Sequence, residues 1–240
     1  MAMQRFRSFL YFALFYPGTI VYCIASLIAA ASSPRALQRV VRGWSDFHHQ
    51  LVHHLLGIRW EQEGVVPPGP YLVAIKHQAM VETIECLRLV DTPVVVMKQL
   101  YVQMPLLGAV MRRYGVIPVD REAGASALRE MMALGKAAKA AGRPIVIFPE
   151  GTRVPVGQAP ELRPGFAGLY RALGMPVVPV ALDSGRLWPK GLLKRAGTIR
   201  VHIGETIPPG LKRDEIERRV HTALNQFELS AQASPELLGR

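Results

Sequence analysis

The segment PIVIFPEGTR (144–153) joins a short run of β-branched residues to a polar turn, and this pairing indicates the fold. An unbroken run of Val and Ile is typical of a strand that other elements cover on both faces. Gly151 allows the backbone to turn tightly after this strand. The polar residues of the turn, Glu150, Thr152 and Arg153, are therefore predicted to lie at the carboxyl end of a buried strand.

Five other β-rich runs alternate with helical stretches: YLVAIK (71–76), PVVVMK (93–98), GVIPV (115–119), PVVPVAL (176–182) and TIRVHI (198–203). This alternation predicts an α/β fold, with a mostly parallel central sheet flanked by helices such as 124–141. The end of the chain, from Lys212 to about Ser230, is predicted to form one amphipathic helix. A chain of 240 residues supports one domain of this kind, which we assign to 57–240.

The N-terminal segment, residues 1–56, is predicted to be a membrane-anchoring helical segment. No charged residue occurs from Ser8 to Pro34, and the run LYFALFYPGTIVYCIASLIAA (10–30) is long and apolar enough to enter a bilayer. A single straight span would leave one of the flanking basic clusters on the wrong side of the membrane. Those clusters are Arg5 and Arg7 before the run, and Arg35, Arg39 and Arg42 after it.

Pro17-Gly18, near the middle of the run, is a point at which a helix can break. We therefore favour a re-entrant or interfacial helix pair with both ends cytoplasmic, ahead of a single span. A signal peptide is the third interpretation. Ala29-Ala30-Ala31 offers small residues for cleavage, but the apolar run is long for a signal peptide. If the source is bacterial, the expected location is the cytoplasmic face of the inner membrane.

The stretch from Arg35 to Leu56 is predicted to be an amphipathic helix that carries four histidines. Two of them, His49 and His53, have the i, i+4 spacing of a metal-binding pair, but no third ligand stands nearby in sequence. A helix that faces the membrane or the core is the favoured interpretation, and we expect no metal site.

The composition favours a membrane surface or an anionic substrate as the partner. Half of the residues are apolar, yet 29 Lys and Arg residues outnumber 18 Asp and Glu residues. No nucleic-acid-binding fingerprint occurs, so nucleic acid is not an expected partner. The two cysteines, Cys23 and Cys86, are too few for a disulfide framework and are compatible with a reducing compartment.

The motif KHQAMVE (76–82) places a histidine after a predicted strand and a carboxylate five residues later. An imidazole held by a carboxylate is a suitable general base near neutral pH. In a continuous helix, a separation of five residues would point His77 and Glu82 in different directions. The pair can meet only if His77 lies in a loop that enters the helix.

Cations that suit an anionic substrate follow other predicted strands. Arg153 offers a guanidinium fork, Arg121 at the end of GVIPVDR (115–121) could supply a second cation, and Lys98 is a further candidate. Glu150 could hold either the acceptor or the loop itself. The alternatives are an exposed turn with a salt bridge and ordinary solvated surface cations.

Four motifs in order, HQAMVE, GVIPVDR, FPEGTR and VVPVAL, resemble the four blocks of the 1-acyl-sn-glycerol-3-phosphate (lysophosphatidate) acyltransferase family. The resemblance covers about residues 60 to 210, and FPEGTR is a complete match to the third block. It implies transfer of a fatty acyl group from acyl-CoA or acyl carrier protein to the sn-2 hydroxyl of lysophosphatidic acid, giving phosphatidic acid.

The resemblance also implies roles for individual residues. His77 deprotonates the acceptor hydroxyl, and Glu82 orients His77. The residues that bind the glycerol phosphate are Arg121, Glu150, Gly151, Thr152 and Arg153. Two positions depart from the commonest pattern, since Glu82 stands where Asp is usual and Ala79 stands where Ser is frequent. Val178-Pro179-Val180 resembles the fourth block, which is structural or faces the acyl chain.

The sequence favours direct transfer without an acyl-enzyme, because it has no G-x-S-x-G elbow and neither cysteine stands beside a plausible base. No metal or organic cofactor is expected. Backbone N–H groups near the start of the first helix of the domain are candidates for stabilising the oxyanion. Two alternatives stay open: acylation of a different lysolipid, and a membrane-binding relative without activity. The stretch RLWPKGLLKR (186–195) fits either interfacial contact or an ordinary basic loop.

Overall fold

The computed structural model describes residues 2–120 and 123–233, with side chains described up to Ser230. Its strands are β1 (Ile58–Glu63), β2 (Leu72–Ile75), β3 (Val94–Lys98), β4 (Ile117–Val119), β5 (Ile145–Ile147), β6 (Val177–Leu182) and β7 (Gly197–Ile203). Its helices are α1 (Ala2–Ser32), α2 (Pro34–His54), α3 (Val81–Leu89), α4 (Gln99–Gln103), α5 (Leu107–Tyr114), α6 (Gly124–Ala140), α7 (Pro164–Leu173), α8 (Arg213–Leu224) and α9 (Gln226–Ala233).

The strands form one sheet with the order β1-β7-β6-β2-β5-β3-β4. Every pairing is parallel except β6 with β7, which is antiparallel. The carboxyl ends of β2, β3, β4, β5 and β6 therefore share one edge of the sheet, which we call the active-site edge. Because β7 and β1 run the other way, their amino ends lie at this same edge.

Each face of the sheet packs against its own apolar cluster. In β2, Val73 and Ile75 belong to the cluster that includes residues of α1, α2, α3 and α5. Leu72 and Ala74 point the other way, into the cluster that includes residues of α6, α7 and α8. Burial of both faces explains the continuous Val and Ile runs, and the predicted α/β fold with a mostly parallel sheet is confirmed.

Two elements differ from the sequence-based predictions. The edge strand β1 (IRWEQE) was not predicted, because its mostly exposed and charged residues lack the apolar run of a buried strand. It is held by six parallel register pairs with β7. The predicted C-terminal helix is two helices, α8 and α9, separated at the fully buried Asn225.

The predicted break at Pro17-Gly18 is wrong, because α1 runs through both residues. Pro17 removes one backbone hydrogen bond, but packing against α2 supports the helix on both sides of it. Gly18 lies directly against the ring of Phe47, where any side chain would collide. The indole N–H of Trp44 also donates to Thr19 at 3.0 Å. The apolar run is therefore one helix rather than a pair broken at Pro17-Gly18, and the chain turns at Ser33 between α1 and α2.

Helix α1 is long and apolar enough to cross a membrane, and most of its apolar stretch is not buried in the protein. Its inward-facing side chains include Tyr11 and Phe15, which join the same apolar cluster as Val73 and Ile75 of the sheet. A boundary between a membrane segment at 1–56 and a domain at 57–240 stays a prediction, since this cluster is shared by both.

A buried polar network joins α2 to α3. The two oxygens of Glu85 lie 3.2 Å from His48 Nδ1 and 3.1 Å from His49 Nδ1, and Ser45 donates to the carbonyl of Ile84 at 2.8 Å. His49 thus has a carboxylate partner on α3. Burial lowers the pKa of His48, and the hydrogen bond to Glu85 only partly opposes this effect. The contact is therefore a neutral His48 that donates Nδ1–H to the Glu85 carboxylate.

We expect the free energy of unfolding to fall as the pH drops below about 6.5, the ordinary pKa of histidine. His48 has a lowered pKa in the folded state, so the unfolded chain binds its proton first. His48→Asn keeps an N–H donor near the position of Nδ1 and does not titrate, so it should flatten the slope. Denaturant unfolding in detergent between pH 7.5 and 5 measures both slopes, and equal slopes would contradict this assignment.

Candidate active site

His77 lies in the loop between β2 and α3, at the active-site edge. Its Nδ1 is 3.2 Å from Oε1 of Glu82, which is the second residue of α3. The loop position therefore provides the geometry that a continuous helix would have prevented. Because a carboxylate only accepts hydrogen bonds, His77 Nδ1 carries the proton and Nε2 keeps its lone pair.

The Glu82 carboxylate is completely buried and has donors on both oxygens. Oε1 accepts from the backbone N–H groups of Gln78 and Ala79 as well as from His77, and Oε2 accepts from Ser184 Oγ at 2.9 Å. The N–H groups of Gln78 and Ala79 are thus bound to Glu82, so these two are not free to face an oxyanion. The wider expectation, that N–H groups near the start of α3 stabilise the oxyanion, stays a prediction.

The residue before His77 forms a fully buried ion pair. Lys76 Nζ lies 2.5 Å from Oε1 of Glu150, and Oε2 of Glu150 accepts the backbone N–H of His77 at 2.9 Å. The sequence left two roles open for Glu150, binding the acceptor or holding its own loop. The geometry supports a structural role, in which Glu150 holds the loop that carries His77. The predicted contact of Glu150 with the acceptor phosphate has no geometric support, since both oxygens are turned into the protein and the residue is only 2% exposed.

A cavity of about 1310 Å³ opens beside His77. The ring of Phe148 covers one side of the imidazole, with 4.5 Å between ring centroids. Candidate residues that line the same cavity are Lys98, Gly151, Thr152 and Arg153, while Glu82 and Glu150 lie behind the wall. The other lining residues are mostly apolar and come from α1 to α7, from the sheet and from the loops between them. Gly151 adopts φ +72°, which supports its predicted role in a tight turn.

Arg121 lies outside the described residues, so its predicted phosphate contact stays a prediction. The preceding residue, Asp120, lines the cavity. Another cavity-lining cation, Arg163, was not identified from the sequence. It directly precedes Pro164 at the start of α7, and its backbone N–H donates to the carbonyl of Pro149 at 2.8 Å. Three cations among the described residues, Lys98, Arg153 and Arg163, therefore line this cavity.

Comparison with known proteins identifies the family. A family model described as Acyltransferase matches residues 57–183. A 1-acyl-sn-glycerol-3-phosphate acyltransferase from Pseudomonas aeruginosa is 32% identical over 229 residues, which span 93% of this chain and 88% of that protein. The chain belongs to the 1-acyl-sn-glycerol-3-phosphate acyltransferase family. The alpha form of that enzyme from Ovis aries is 26% identical over 226 residues, covering 89% of this chain and 78% of the relative.

The fold of this acyltransferase is also that of a solved relative. The crystal structure of the 1-acyl-sn-glycerophosphate acyltransferase PlsC from Thermotoga maritima superposes with a TM-score of 0.77 at 20% identity. The match covers 99% of this chain and 98% of the solved one, so it includes α1 and α2 as well as the sheet.

Three residues that hold the active-site loop of this acyltransferase were missed in the sequence: Ser184, Asn225 and Glu228. Ser184 follows β6 at the active-site edge, so the rule that ligands gather at strand ends could have identified it. Asn225 and Glu228 are about 150 positions away from the loop they contact. No local pattern in the sequence indicates such contacts.

We expect Lys76→Met to lower the free energy of unfolding by about 3–5 kcal/mol, because it leaves the buried Glu150 carboxylate without a counter-charge. Lys76→Met combined with Glu150→Leu removes both charges and should cost much less than the sum of the single changes. Denaturant unfolding in detergent of the wild type, both single variants and the double variant tests this pair. Additive losses would show that the two charges do not depend on each other.

Proposed function

We propose that this acyltransferase moves a fatty acyl group from acyl-CoA or acyl carrier protein to the sn-2 hydroxyl of 1-acyl-sn-glycerol-3-phosphate, giving phosphatidic acid. The observation that carries the proposal is the Glu82-bound His77 at the wall of a mostly apolar cavity that Lys98, Arg153 and Arg163 also line. The names of the relatives favour this acceptor, since they are 1-acyl-sn-glycerol-3-phosphate acyltransferases.

His77 serves as the general base in this proposal. Its Nε2 accepts the proton of the acceptor hydroxyl while the hydroxyl oxygen attacks the thioester carbonyl. The C–S bond then breaks, and the imidazolium returns the proton to the departing thiolate, so the products are an ester and a free thiol. Glu82 stabilises the imidazolium, because its carboxylate already holds Nδ1–H. Cys86 is fully buried and does not line the cavity, and Cys23, which lines it, has no base beside it in the sequence, which fits transfer without a covalent intermediate.

The acceptor phosphate binds to cations that line the cavity. Arg153 and Thr152 are exposed there on the turn after β5, and Lys98 ends the neighbouring strand β3. An arginine fork binds two phosphate oxygens at once, and the hydroxyl of Thr152 can donate to a third. Arg121 is proposed to add a further cation from the segment that follows β4. These contacts fix the distance from the phosphate to the reacting hydroxyl.

The acyl chains occupy the apolar remainder of the cavity. Part of its wall is α1, through Phe15, Ile20 and Cys23, and another part is formed by Leu106 and by Leu107 of α5. Helix α1 also presents a long apolar face to the outside of the protein. A substrate that is dissolved in a bilayer can therefore reach the cavity beside α1 without its chains crossing water.

The membrane surface that we propose includes the loop 186–195 beside the first turns of α1. Ser8 of α1 accepts the backbone N–H of Lys194 at 2.9 Å, and the rings of Tyr11 and Trp188 meet edge to face at 5.5 Å. Lys194 folds inward and donates to the carbonyls of Pro189 and Gly191, and burial lowers its pKa to about 8. Leu192, Lys190 and Arg195 point outward, as expected for contact with anionic lipid at the cytoplasmic face.

We expect His77→Ala to lower the rate of acyl transfer by about 10² to 10⁴-fold, because the general base is lost. The assay follows thiol release from acyl-CoA or acyl carrier protein with lysophosphatidic acid, together with the diacyl product. His202→Ala is the matched control, since this histidine lies away from the cavity and its Nδ1 is 2.8 Å from a carboxylate oxygen of Glu63.

Arg153→Ala should raise the KM for lysophosphatidic acid more than it lowers kcat.

An acceptor panel separates the alternatives. Faster acylation of a lyso-aminolipid or of another lysophospholipid would show that the assigned acceptor is wrong, although the family chemistry would stand. Absence of thiol release with every acceptor and both donors would leave a membrane-binding relative without activity. Wild-type rates in His77→Ala would exclude this histidine as the base.

We also expect residue 192 to enter the lipid interface. The natural cysteines are buried, so Leu192→Cys can be labelled with an environment-sensitive dye and reconstituted in vesicles. Its emission should shift to the blue and be quenched by brominated lipid. Val65→Cys is the control, because Val65 is 79% exposed and Leu192 is 73% exposed. Val65 follows the carboxyl end of β1, at the edge of the sheet opposite the active-site edge. Equal quenching at both sites would contradict the proposed surface.

A further inference from the structure

The C-terminal helices contact the active-site loop on both sides of His77. Asn225, between α8 and α9, contacts Lys76, and Glu228 of α9 contacts Gln78. Both contacting residues lie outside the segment 57–183 that the family model matches. The loop therefore depends on two polar side chains that none of the four sequence motifs includes.

Lys76 is held by three oxygens, which equals the number of N–H donors on its ammonium group. They are Oε1 of Glu150 at 2.5 Å, Oδ1 of Asn225 at 2.6 Å and the carbonyl of Gln158 at 3.1 Å. Asn225 is fully buried, and its own amide donates to the carbonyl of His221 at 2.7 Å. That second bond fixes which way the Asn225 oxygen points, and so fixes Lys76 and Glu150. Glu150 in turn accepts the backbone N–H of His77.

Gln78 is held from two directions. Its side-chain N–H donates to Oε1 of Glu228, and its side-chain oxygen accepts the backbone N–H of Gly185 at 3.0 Å. Gly185 follows Ser184, whose hydroxyl donates to Glu82. Gln78 thus connects α9 to the segment after β6 that also supports the His77–Glu82 pair. The backbone around His77 is therefore restrained on both sides, through the side chains of Lys76 and Gln78.

The contact of Glu228 with Gln78 needs an acceptor oxygen, which a carboxyl group supplies in either protonation state. Burial raises the pKa of Glu228, although the nearby Lys76 opposes this rise. Its second oxygen has no hydrogen-bond partner among the described residues. A glutamine in this position would keep an acceptor oxygen for Gln78 without the cost of a buried charge. Glu228→Gln is therefore the conservative variant that separates geometry from charge.

We propose that Asn225 and Glu228 are positioning residues, which hold the loop 76–78 so that His77 Nε2 stays at the cavity wall. They do not touch the substrate, because the cavity is lined by neither of them. The inference rests on the proposed role of His77 as the base. A loop shift of about 1 Å is enough to lower a rate by about a hundredfold, since proton transfer and attack need close alignment.

The kinetic test compares Asn225→Ala, Glu228→Ala and Glu228→Gln with the full-length wild type. The two alanine variants should lower kcat by about tenfold to a hundredfold, with both KM values changed by less than about twofold. Glu228→Gln should stay within about threefold of the wild type. Ser230→Ala is the matched control on α9, because its exposed hydroxyl bonds only within the helix, to the carbonyl of Gln226.

A structural readout keeps the test independent of the chemistry. Amide hydrogen exchange of the peptide that spans residues 76–80 should become faster in both alanine variants, while peptides from β6 exchange as in the wild type. Glu228→Gln should restore wild-type protection. This readout needs no assumption about which residue is the base.

Two kinds of result overturn the inference. One is wild-type kcat and wild-type exchange in either alanine variant. The other is a loss of kcat that does not come from positioning. It would be seen if Glu228→Gln were as slow as Glu228→Ala, or if kcat fell only in proportion to the folded fraction measured by thermal unfolding. His77→Ala, assayed in parallel, distinguishes a wrong base from a wrong positioning role. If it stays active, the proposed base is wrong, whereas an inactive His77→Ala beside fully active alanine variants rejects only the positioning role.

Discussion

Two carboxylates, Glu82 and Glu150, must be buried beside the loop that carries His77, and the active-site edge depends on how each is satisfied. A buried carboxylate needs donors or a counter-charge, because it has left water. Glu82 takes its donors from the imidazole, two loop N–H groups and Ser184. Glu150 takes the Lys76 ammonium and the His77 N–H. Each carboxylate thereby fixes the loop while its own charge is stabilised.

Much of the fold could be predicted from local patterns, because strands buried on both faces leave continuous apolar runs. The loop position of His77 also followed from geometry, since five helical residues would separate it from Glu82. The failures have physical causes. The charged edge strand β1 is held by backbone pairing that leaves no apolar pattern. Pro17 is tolerated inside α1 because α2 packs against the helix at Gly18, which sequence alone does not reveal.

The candidate site was predictable where its residues stand at the end of a strand or in the turn that follows it. His77, Thr152, Arg153 and Lys98 do so, and they line one cavity. Glu150 also follows a strand, but its side chain turns inward to Lys76, and a spacing rule cannot distinguish these two directions. Asn225 and Glu228 approach from the other end of the chain, where only the packing of α8 and α9 determines what they contact.

The sequence separation of those last contacts has a consequence for biosynthesis. Lys76 and Asn225 are 149 positions apart, and Gln78 and Glu228 are 150 apart. During synthesis the N-terminal parts of a chain emerge and fold first. Helix α1 therefore leaves the ribosome and can meet the bilayer long before Asn225 and Glu228 exist. The loop around His77 acquires its final restraints only when the last helices are made, long after α1 has become available to a bilayer.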